Sequence, residues 1–225
     1  MTLWQKLVSF GFRLLYNELA WTYDLVSWLV SLGRWREWQT AALGFVTGRD
    51  VLEIAHGPGH ILLKLHQRGF RVTGCDLSPA MSRIAANRLH KANLAQQIPL
   101  FRCAIPDIPI KATSFDTVLS QFPTSFIFEP ATLSTIFKIL RPHGRLVILP
   151  EAQLTGQGPI YRLITWLFII TGQREKESST NHTNLDPGIW HPLTNRLHQA
   201  GFTNISVETI TLPTSQATLI IAQKP

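Results

Sequence analysis

The sequence predicts an α/β protein built on one seven-stranded, mostly parallel sheet with helices on both faces. Short apolar segments alternate with amphipathic ones between residues 50 and 151, the pattern of parallel strands covered by helices. The 225 residues, 45% hydrophobic and 16% charged, are enough for one sizeable core and hardly for two. All seven tryptophans and all three tyrosines fall outside that middle segment, which sets a regular centre between aromatic flanks.

Residues 1–49 read as a helical cap. VLEIA at 51–55 is a buried strand, a helix runs from about Ile61 to Gln67, RVTGCD at 71–76 is the second strand, and a second helix spans Pro79 to about Asn93. PLFRC at 99–103, FDTVLSQF at 115–122, a helix around Ala131 to Leu140 and RLVILPE at 145–151 complete the centre. Arg141, Pro142, His143 and Gly144 are read as stopping that helix and launching the fifth strand. Residues 152–200 form an insert in which PIYRLITWLFII at 159–170 is helical, GQREKESSTNHTN at 172–184 is a polar loop, and a further helix lies near Pro192 to Ala200. Residues 201–225 supply FTNISVETI and ATLIIAQK, an antiparallel pair at one edge of the sheet. The chain is therefore one domain, 1–225, with decorations.

No stretch approaches the ~18 apolar residues of a spanning helix. The first 30 residues lack the compact apolar run and small-residue cleavage site of a secretory signal, and two cysteines, Cys75 and Cys103, are too few for a disulfide scaffold. A cytoplasmic protein is expected. The net charge of +7 is not gathered into a basic tail, and Arg83, Arg88 and Lys91 read as a solvated basic helix face, so no nucleic-acid partner is expected and only a mild bias towards anionic surfaces remains. Without H-E-x-x-H, CxxC or comparable spacing, no metal site is expected.

The chemistry concentrates in VLEIAHGPGH at 51–60, where a buried strand runs into Gly57, Pro58 and Gly59 before a helix. Glycines there let a ligand approach the backbone, and a helix start offers free amide donors. Asp76 ends the second strand, where a carboxylate accepts from both hydroxyls of a ribose. Nicotinamide and flavin folds share this plan, but their third glycine is replaced here by Leu62. Glu53, four residues before Gly57, suits a ligand with a cationic ammonium better than a diphosphate. His60 reads as an exposed first-turn residue, and Cys75 as packing.

From about residue 16 to 223 the chain resembles the class I S-adenosylmethionine-dependent methyltransferases, in particular the small-molecule branch that includes ubiquinone and menaquinone biosynthesis enzymes and phospholipid methyltransferases. VLEIAHGPG is similar to that family's VLEIGCGTG, VTGCDLSPAM to VxGxDxSxxM, IPDIPIKATSFDTVLS to AEDLPFPDGSFDVV, and LRPHGRLVILPE to LKPGGxLxxxE. The resemblance implies a Rossmann-like fold with an N-terminal helical cap (1–49), a cofactor-binding core (50–151) and a helical insert after the fifth strand. It implies S-adenosyl-L-methionine as cofactor, S-adenosyl-L-homocysteine as product, and methyl transfer to a small hydrophobic or lipid-like acceptor. The alternative is a non-catalytic S-adenosylmethionine-binding regulatory or partner protein.

Carried over position by position, the backbone of Ala55, His56 and Gly57, with Gly59 completing the loop, holds the methionine moiety and Glu53 supports that turn. Asp76 binds the ribose, Leu77 and Met81 line the adenine, and Ala104 and Ile105 close its other side. Ser120, Gln121 and Phe122 sit under the sulfonium, and Tyr16 or Tyr23 lids the cofactor. Two departures stand out. Ala55 replaces a glycine, acceptable at negative φ, and Cys103 stands where many relatives carry an aspartate facing the adenine amine. Methyltransferases of this kind build the acceptor pocket from the N-terminal helices and the insert, which points to Trp166 and Trp190 as lining. No motif identifies a catalytic residue; His182 and His191 are the candidate bases. The spacing of Trp4, Val8, Phe12, Leu15 and Leu19, with Lys6 and Arg13 opposite, would suit either packing on the sheet or peripheral contact with an anionic membrane. Nothing in the sequence specifies an oligomeric state.

Overall fold

The computed structural model describes residues 20–155 and 187–225, with Gly11 and Glu18. Tyr16, Trp166, His182, the Trp4 to Leu19 stripe and the 159–170 segment lie outside the described residues. A 3-10 turn, Ala20–Thr22, leads into α1, Tyr23–Val30, and then α2, Trp35–Ala42. Strand β1, Asp50–Ile54, is followed by α3, His60–Gln67, strand β2, Arg71–Cys75, and α4, Pro79–Lys91. Next come β3, Leu100–Phe101, β4, Phe115–Gln121, α5, Pro130–Ile139, and β5, Leu140–Leu154. Helix α6, Pro187–Gln199, precedes β6, Thr203–Leu212, and β7, Ser215–Gln223.

The strands form one seven-stranded sheet in the order β3-β2-β1-β4-β5-β7-β6. β1 to β5 pair in parallel, whereas β7 runs antiparallel between β5 and β6. The expected antiparallel edge pair is present, with the last strand inserted inside it.

Alternation along the strands distributes the core over two faces. Leu52, Ile54, Val118, Leu146 and Ile148 pack with Leu133 and Ile136 of α5 and Leu197 of α6. Val51, Leu119, Val147 and Leu149 pack with Trp38 of α2 and Ile61, Leu62 and Leu65 of α3. Fully burying one such aliphatic side chain contributes about 1.5–3 kcal/mol, so the central strands are held from both sides. The Trp38 indole is buried and its Nε1 donates to Ser215 Oγ at 2.9 Å, tying the cap to the closing hairpin.

Three local expectations change. The residues read as a stop-and-start signal, Arg141 to Gly144, lie within β5: Leu140 already pairs with Phe115, and register shifts before Thr117 meets Arg145. With His143 at φ +61°, the segment is a bulge rather than a break. Pro192 lies inside α6 rather than starting it. Its ring costs a helical hydrogen bond, while Trp190, Leu197 and Phe202 are buried in the core around it, which anchors the helix on both sides. Trp190 therefore packs in the core and is not part of the cavity wall described below.

Register aligns the carboxyl ends of the central strands: Ile54 sits opposite Cys75 on one side and Ser120 on the other, and Cys75 opposite Phe101. Chain order reverses between β1 and β4, the place where open α/β sheets leave a crevice for ligands.

Candidate cofactor and acceptor site

The loop after β1 is built by backbone conformations that only a few residues adopt easily. Ala55, Gly57 and Gly59 have φ of +55°, +54° and +79°. The expectation of negative φ at Ala55 is thus overturned. The residue is left-handed, locked by its N–H donating to Cys75 O at 2.7 Å. An alanine in this region costs about 1 kcal/mol relative to glycine. Ala55→Gly is accordingly expected to stabilise the protein by ~0.5–1 kcal/mol, raising Tm by about 1–4 °C in a thermal melt.

Gly57 has open space where a Cβ would stand, whereas a Cβ at Gly59 would lie 2.9 Å from Ala85 Cβ on α4. The first glycine leaves room for a ligand and the second lets a helix pack. At Gly74 a Cβ would come within 2.9 Å of the His56 ring, so the glycine of VTGCD makes the seat for His56.

Asp76 is buried, and its two carboxylate oxygens accept from the backbone: Gly57 N–H at 2.8 Å on Oδ2 and Ser78 N–H at 2.8 Å on Oδ1. The carboxylate is therefore fixed beside the glycine loop with a further lone pair on each oxygen for a sugar hydroxyl. Ser78 caps α4, accepting from Met81 N–H at 3.2 Å, which sets the turn carrying Leu77.

Glu53 is only 2% exposed, and its Oε2 has no hydrogen-bond partner. It occupies a strand position whose neighbours on the same face are apolar. Burial first, and the Asp76 carboxylate second, push the Glu53 carboxyl well above its usual range. His56 is buried too. Burial holds its imidazole below its ordinary value against the opposing pull of Asp76, so the ring is neutral near pH 7. Its Nδ1 lies 2.8 Å from Gly57 O. A carbonyl only accepts, so Nδ1 carries the proton and the buried Nε2, which has no partner, presents a lone pair. Two buried polar atoms without partners beside a glycine loop call for a hydrogen-bonding ligand, since leaving such groups unpaired costs ~1–3 kcal/mol each.

The remaining expected residues divide between wall and support. Leu77 is 69% exposed at the end of β2, available to a flat ring. Met81 and Ile105 are buried, so they back the wall rather than surface it, while Ala104 is half-buried. The Cys103 thiol is half-buried and 3.7 Å from Cys75 Sγ. Ser120 is fully buried, its hydroxyl donating to Ile54 O at 3.2 Å, which ties the ends of β4 and β1. Gln121 donates through Nε2 to Gln39 O at 2.8 Å, and its buried Oε1 is unpartnered. The Phe122 ring stacks on Trp35 at 4.1 Å between centroids.

Against this loop stands a cavity of about 250 Å³ whose walls come from α1, α2 and the residues after β1. Tyr23, Trp28 and Trp35 give it an aromatic side. Gln39, Asp24, Arg36 and His60 give it a polar one, and His56 and Pro58 join it to the glycine loop. Trp35 Nε1 and Gln39 Oε1 are buried without partners, one a donor and one an acceptor. Tyr23, expected as a lid, is in this wall with its ring edge-on to Trp35 at 6.3 Å.

Sequence reasoning missed the polar side. Rather than an exposed first-turn residue, His60 is half-buried with Nε2 2.9 Å from both Asp24 oxygens. Arg88, read as part of a solvated face, turns inward to donate to Pro58 O and to Asp24 Oδ2. Its spacing with Arg83 and Lys91 carried no sign of this; only the loop carbonyl it meets distinguishes it. His191 lies exposed on α6, away from these walls. Among the described residues no cluster of His, Cys, Asp and Glu is arranged to hold a metal ion.

Sheet order, strand-end glycine loop and the acid that follows β2 are together the arrangement of the class I methyltransferase fold. The comparisons agree. Residues 51–144 match the family described as a methyltransferase domain. A demethylmenaquinone methyltransferase of Tropheryma whipplei is 31% identical over 156 residues, 67% of this chain and 64% of that protein. A demethylmenaquinone methyltransferase of Lactiplantibacillus plantarum is 27% identical over 207 residues, 85% of this chain and 87% of the other. A solved structure of phosphoethanolamine N-methyltransferase 2 from Haemonchus contortus, in complex with S-adenosyl-L-methionine, shares the fold at a TM-score of 0.59 and 19% identity, covering 86% of this chain and 53% of that one. Residues 51–144 are a methyltransferase domain, and the chain resembles the class I S-adenosylmethionine-dependent methyltransferases of quinone biosynthesis. The match to the Tropheryma relative spans just under two thirds of that protein's length.

Proposed function

We propose that the protein is a methyltransferase that uses S-adenosyl-L-methionine, releases S-adenosyl-L-homocysteine, and methylates a small hydrophobic or lipid-like acceptor of the quinol class. The observation that carries this is the pair of buried polar atoms without partners, Glu53 Oε2 and His56 Nε2, beside a glycine loop that opens onto an aromatic cavity. The bound donor supplies a methyl group on a sulfonium, displaced in line by the acceptor. The chain's part is alignment and exclusion of water, and alignment alone can supply ~7–11 kcal/mol. In this reading Glu53 and His56 receive the donor's ammonium, Asp76 the ribose hydroxyls, and Leu77 one face of the adenine. Ala104 lies on the other side, with Cys103 beside it, and Phe122 and Trp35 form the wall between methyl group and acceptor. No observation favours a non-catalytic binder, since Ala55 keeps the loop in its left-handed turn.

Titration of Glu53 makes the first reading measurable. In the free protein the carboxyl keeps its proton to higher pH than an ordinary glutamate, and an ammonium beside it favours the ionised form. Binding then releases a proton, so affinity for S-adenosyl-L-homocysteine should strengthen as pH rises towards the raised value and level off above it. Calorimetry in two buffers of different ionisation enthalpy reads that proton directly, and Glu53→Gln should abolish the buffer dependence.

An amphipathic face supports a lipid-borne acceptor. Trp21, Leu25, Trp28, Leu29 and Leu32 repeat at helical spacing along the entry to α1 and beyond it, all exposed, with Trp21 at 78%. Trp28 is shared with the cavity wall, so a bilayer touching this face would lie at the cavity's edge. Among the described residues no helix is long and apolar enough to cross a membrane, which leaves peripheral contact as the mode proposed. Flotation with anionic vesicles should be salt-sensitive and weakened by Trp21→Ser together with Leu25→Ser and Leu29→Ser. Transfer of labelled methyl from S-adenosyl-L-methionine to a 2-prenyl-1,4-naphthohydroquinone tests the function. Turnover supports it, and efficient methylation of soluble amines alone, without vesicle binding, would refute the acceptor class.

A further inference from the structure

The cavity holds one arrangement that the roles above do not use. His60, the first residue of α3, meets Asp24 of α1 across 36 positions of sequence, with Nε2 2.9 Å from both carboxylate oxygens. Both residues line the cavity. A carboxylate only accepts, so Nε2 carries the hydrogen, and Nδ1 keeps an unprotonated lone pair. Asp24 is itself held: Arg88 donates to it at 3.3 Å, and its carboxyl lies below the ordinary range because of the His60 hydrogen bond, with His60, Arg88 and Arg36 adding to the effect against burial. A base oriented by an ionised acid is the arrangement that removes a proton from a weakly acidic hydroxyl. The unpartnered Trp35 Nε1 and Gln39 Oε1 in the same cavity are a donor and an acceptor suited to a ligand that bears hydroxyl groups.

We propose that His60, positioned by Asp24, is the proton acceptor for a phenolic or hydroquinone acceptor bound in this cavity. The inference rests on the methyl-transfer reading. Nδ1 of His60 takes the hydroxyl proton, and the electron density left on the acceptor forms the bond to the methyl carbon. The carbon–sulfur bond breaks with its pair remaining on sulfur, giving the neutral thioether. If the attacking atom is a ring carbon, the oxygen regains a proton as that carbon loses its own. Either way one methyl is transferred and one proton passes through His60 to solvent. The charged groups around the imidazole are Asp24 of α1, Arg36 of α2, whose Nη2 is 3.4 Å from Nε2, Arg88 of α4, and Lys64 one turn along α3; neutral His56 lines the same cavity.

The test is the pH profile of kcat with 2-prenyl-1,4-naphthohydroquinone, kept reduced, for the wild type, His60→Gln and Asp24→Asn. The wild type should show an acid limb, rate rising as one group loses a proton. His60→Gln should lose that limb and fall in kcat by roughly 10²–10⁴-fold, with affinity for S-adenosyl-L-homocysteine unchanged. An acceptor whose hydroxyl is already ionised should recover most of the loss. Asp24→Asn takes away the carboxylate that orients the imidazole, so the plateau of kcat should fall while affinity for S-adenosyl-L-homocysteine is unchanged. If His60→Gln does not fold, the plateau of Asp24→Asn, and its recovery with the already ionised acceptor, decides. Wild-type turnover with the same acid limb in His60→Gln, or an unaltered plateau in Asp24→Asn, overturns the base assignment while leaving the methyl-transfer reading intact. A wild type that binds S-adenosyl-L-homocysteine but methylates no hydroxyl-bearing acceptor overturns both.

Discussion

Asp76→Ala is expected to weaken binding of S-adenosyl-L-homocysteine by roughly 10- to 150-fold, ~1.5–3 kcal/mol. The carboxylate has two jobs at once. In the role proposed for it, it offers charge-assisted hydrogen bonds to the ribose; facing the chain, it accepts the amides of Gly57 and Ser78, each at 2.8 Å. Removing it leaves the glycine loop without the acceptor that fixes its amide and loosens the turn into α4. Asp76→Asn keeps an oxygen for only one of those amides and should fall between alanine and wild type. Calorimetric titration of the folded variants measures the effect, and an unchanged dissociation constant for Asp76→Ala would remove the ribose assignment.

Gly59→Ala should lower stability by ~2–4 kcal/mol, a drop in Tm of about 4–16 °C. Two costs combine: an alanine at φ +79° and a Cβ placed 2.9 Å from Ala85 Cβ and 3.2 Å from Ala85 Cα. The second cost involves backbone on α4, so it cannot be relieved by a side-chain rotation. Ala85→Gly made alone should cost about 1 kcal/mol as a glycine in a helix. In the double variant it should recover part of the steric penalty, giving a favourable coupling of roughly 1 kcal/mol in a thermal-melt cycle. Full additivity would mean that the helix shifts freely at this point.

What could be read from the sequence is what depends on local chemistry. Gly57, Gly59, Glu53 and Asp76 stand at the ends of apolar strands, where glycine and acid have few structural reasons to be, and register then brings those ends together. The seven strands were legible because their apolar runs are short and bounded by turn residues. The polar half of the cavity was not. Asp24, Gln39, His60 and Arg88 come from four helices, and no periodicity announces that a histidine on α3 will face an aspartate on α1. Conformation at single residues was equally hidden: Ala55 is left-handed because the Cys75 carbonyl holds its amide, a tertiary constraint that outweighs the alanine preference. Trp190 shows the same limit in reverse. Its aromatic character fitted a pocket wall, while burial beside Phe202 and Leu197 places it in the core.

The claim that Glu53, His56 and Asp76 surround an S-adenosyl site is tested most directly by titrating the protein calorimetrically with S-adenosyl-L-homocysteine and, separately, with NAD. Saturable one-to-one binding of S-adenosyl-L-homocysteine, accompanied by proton release that Glu53→Gln removes, with no saturable heat from NAD, is the predicted result. Binding of NAD as tight as that of S-adenosyl-L-homocysteine, or no binding of the latter by the folded protein, would contradict it.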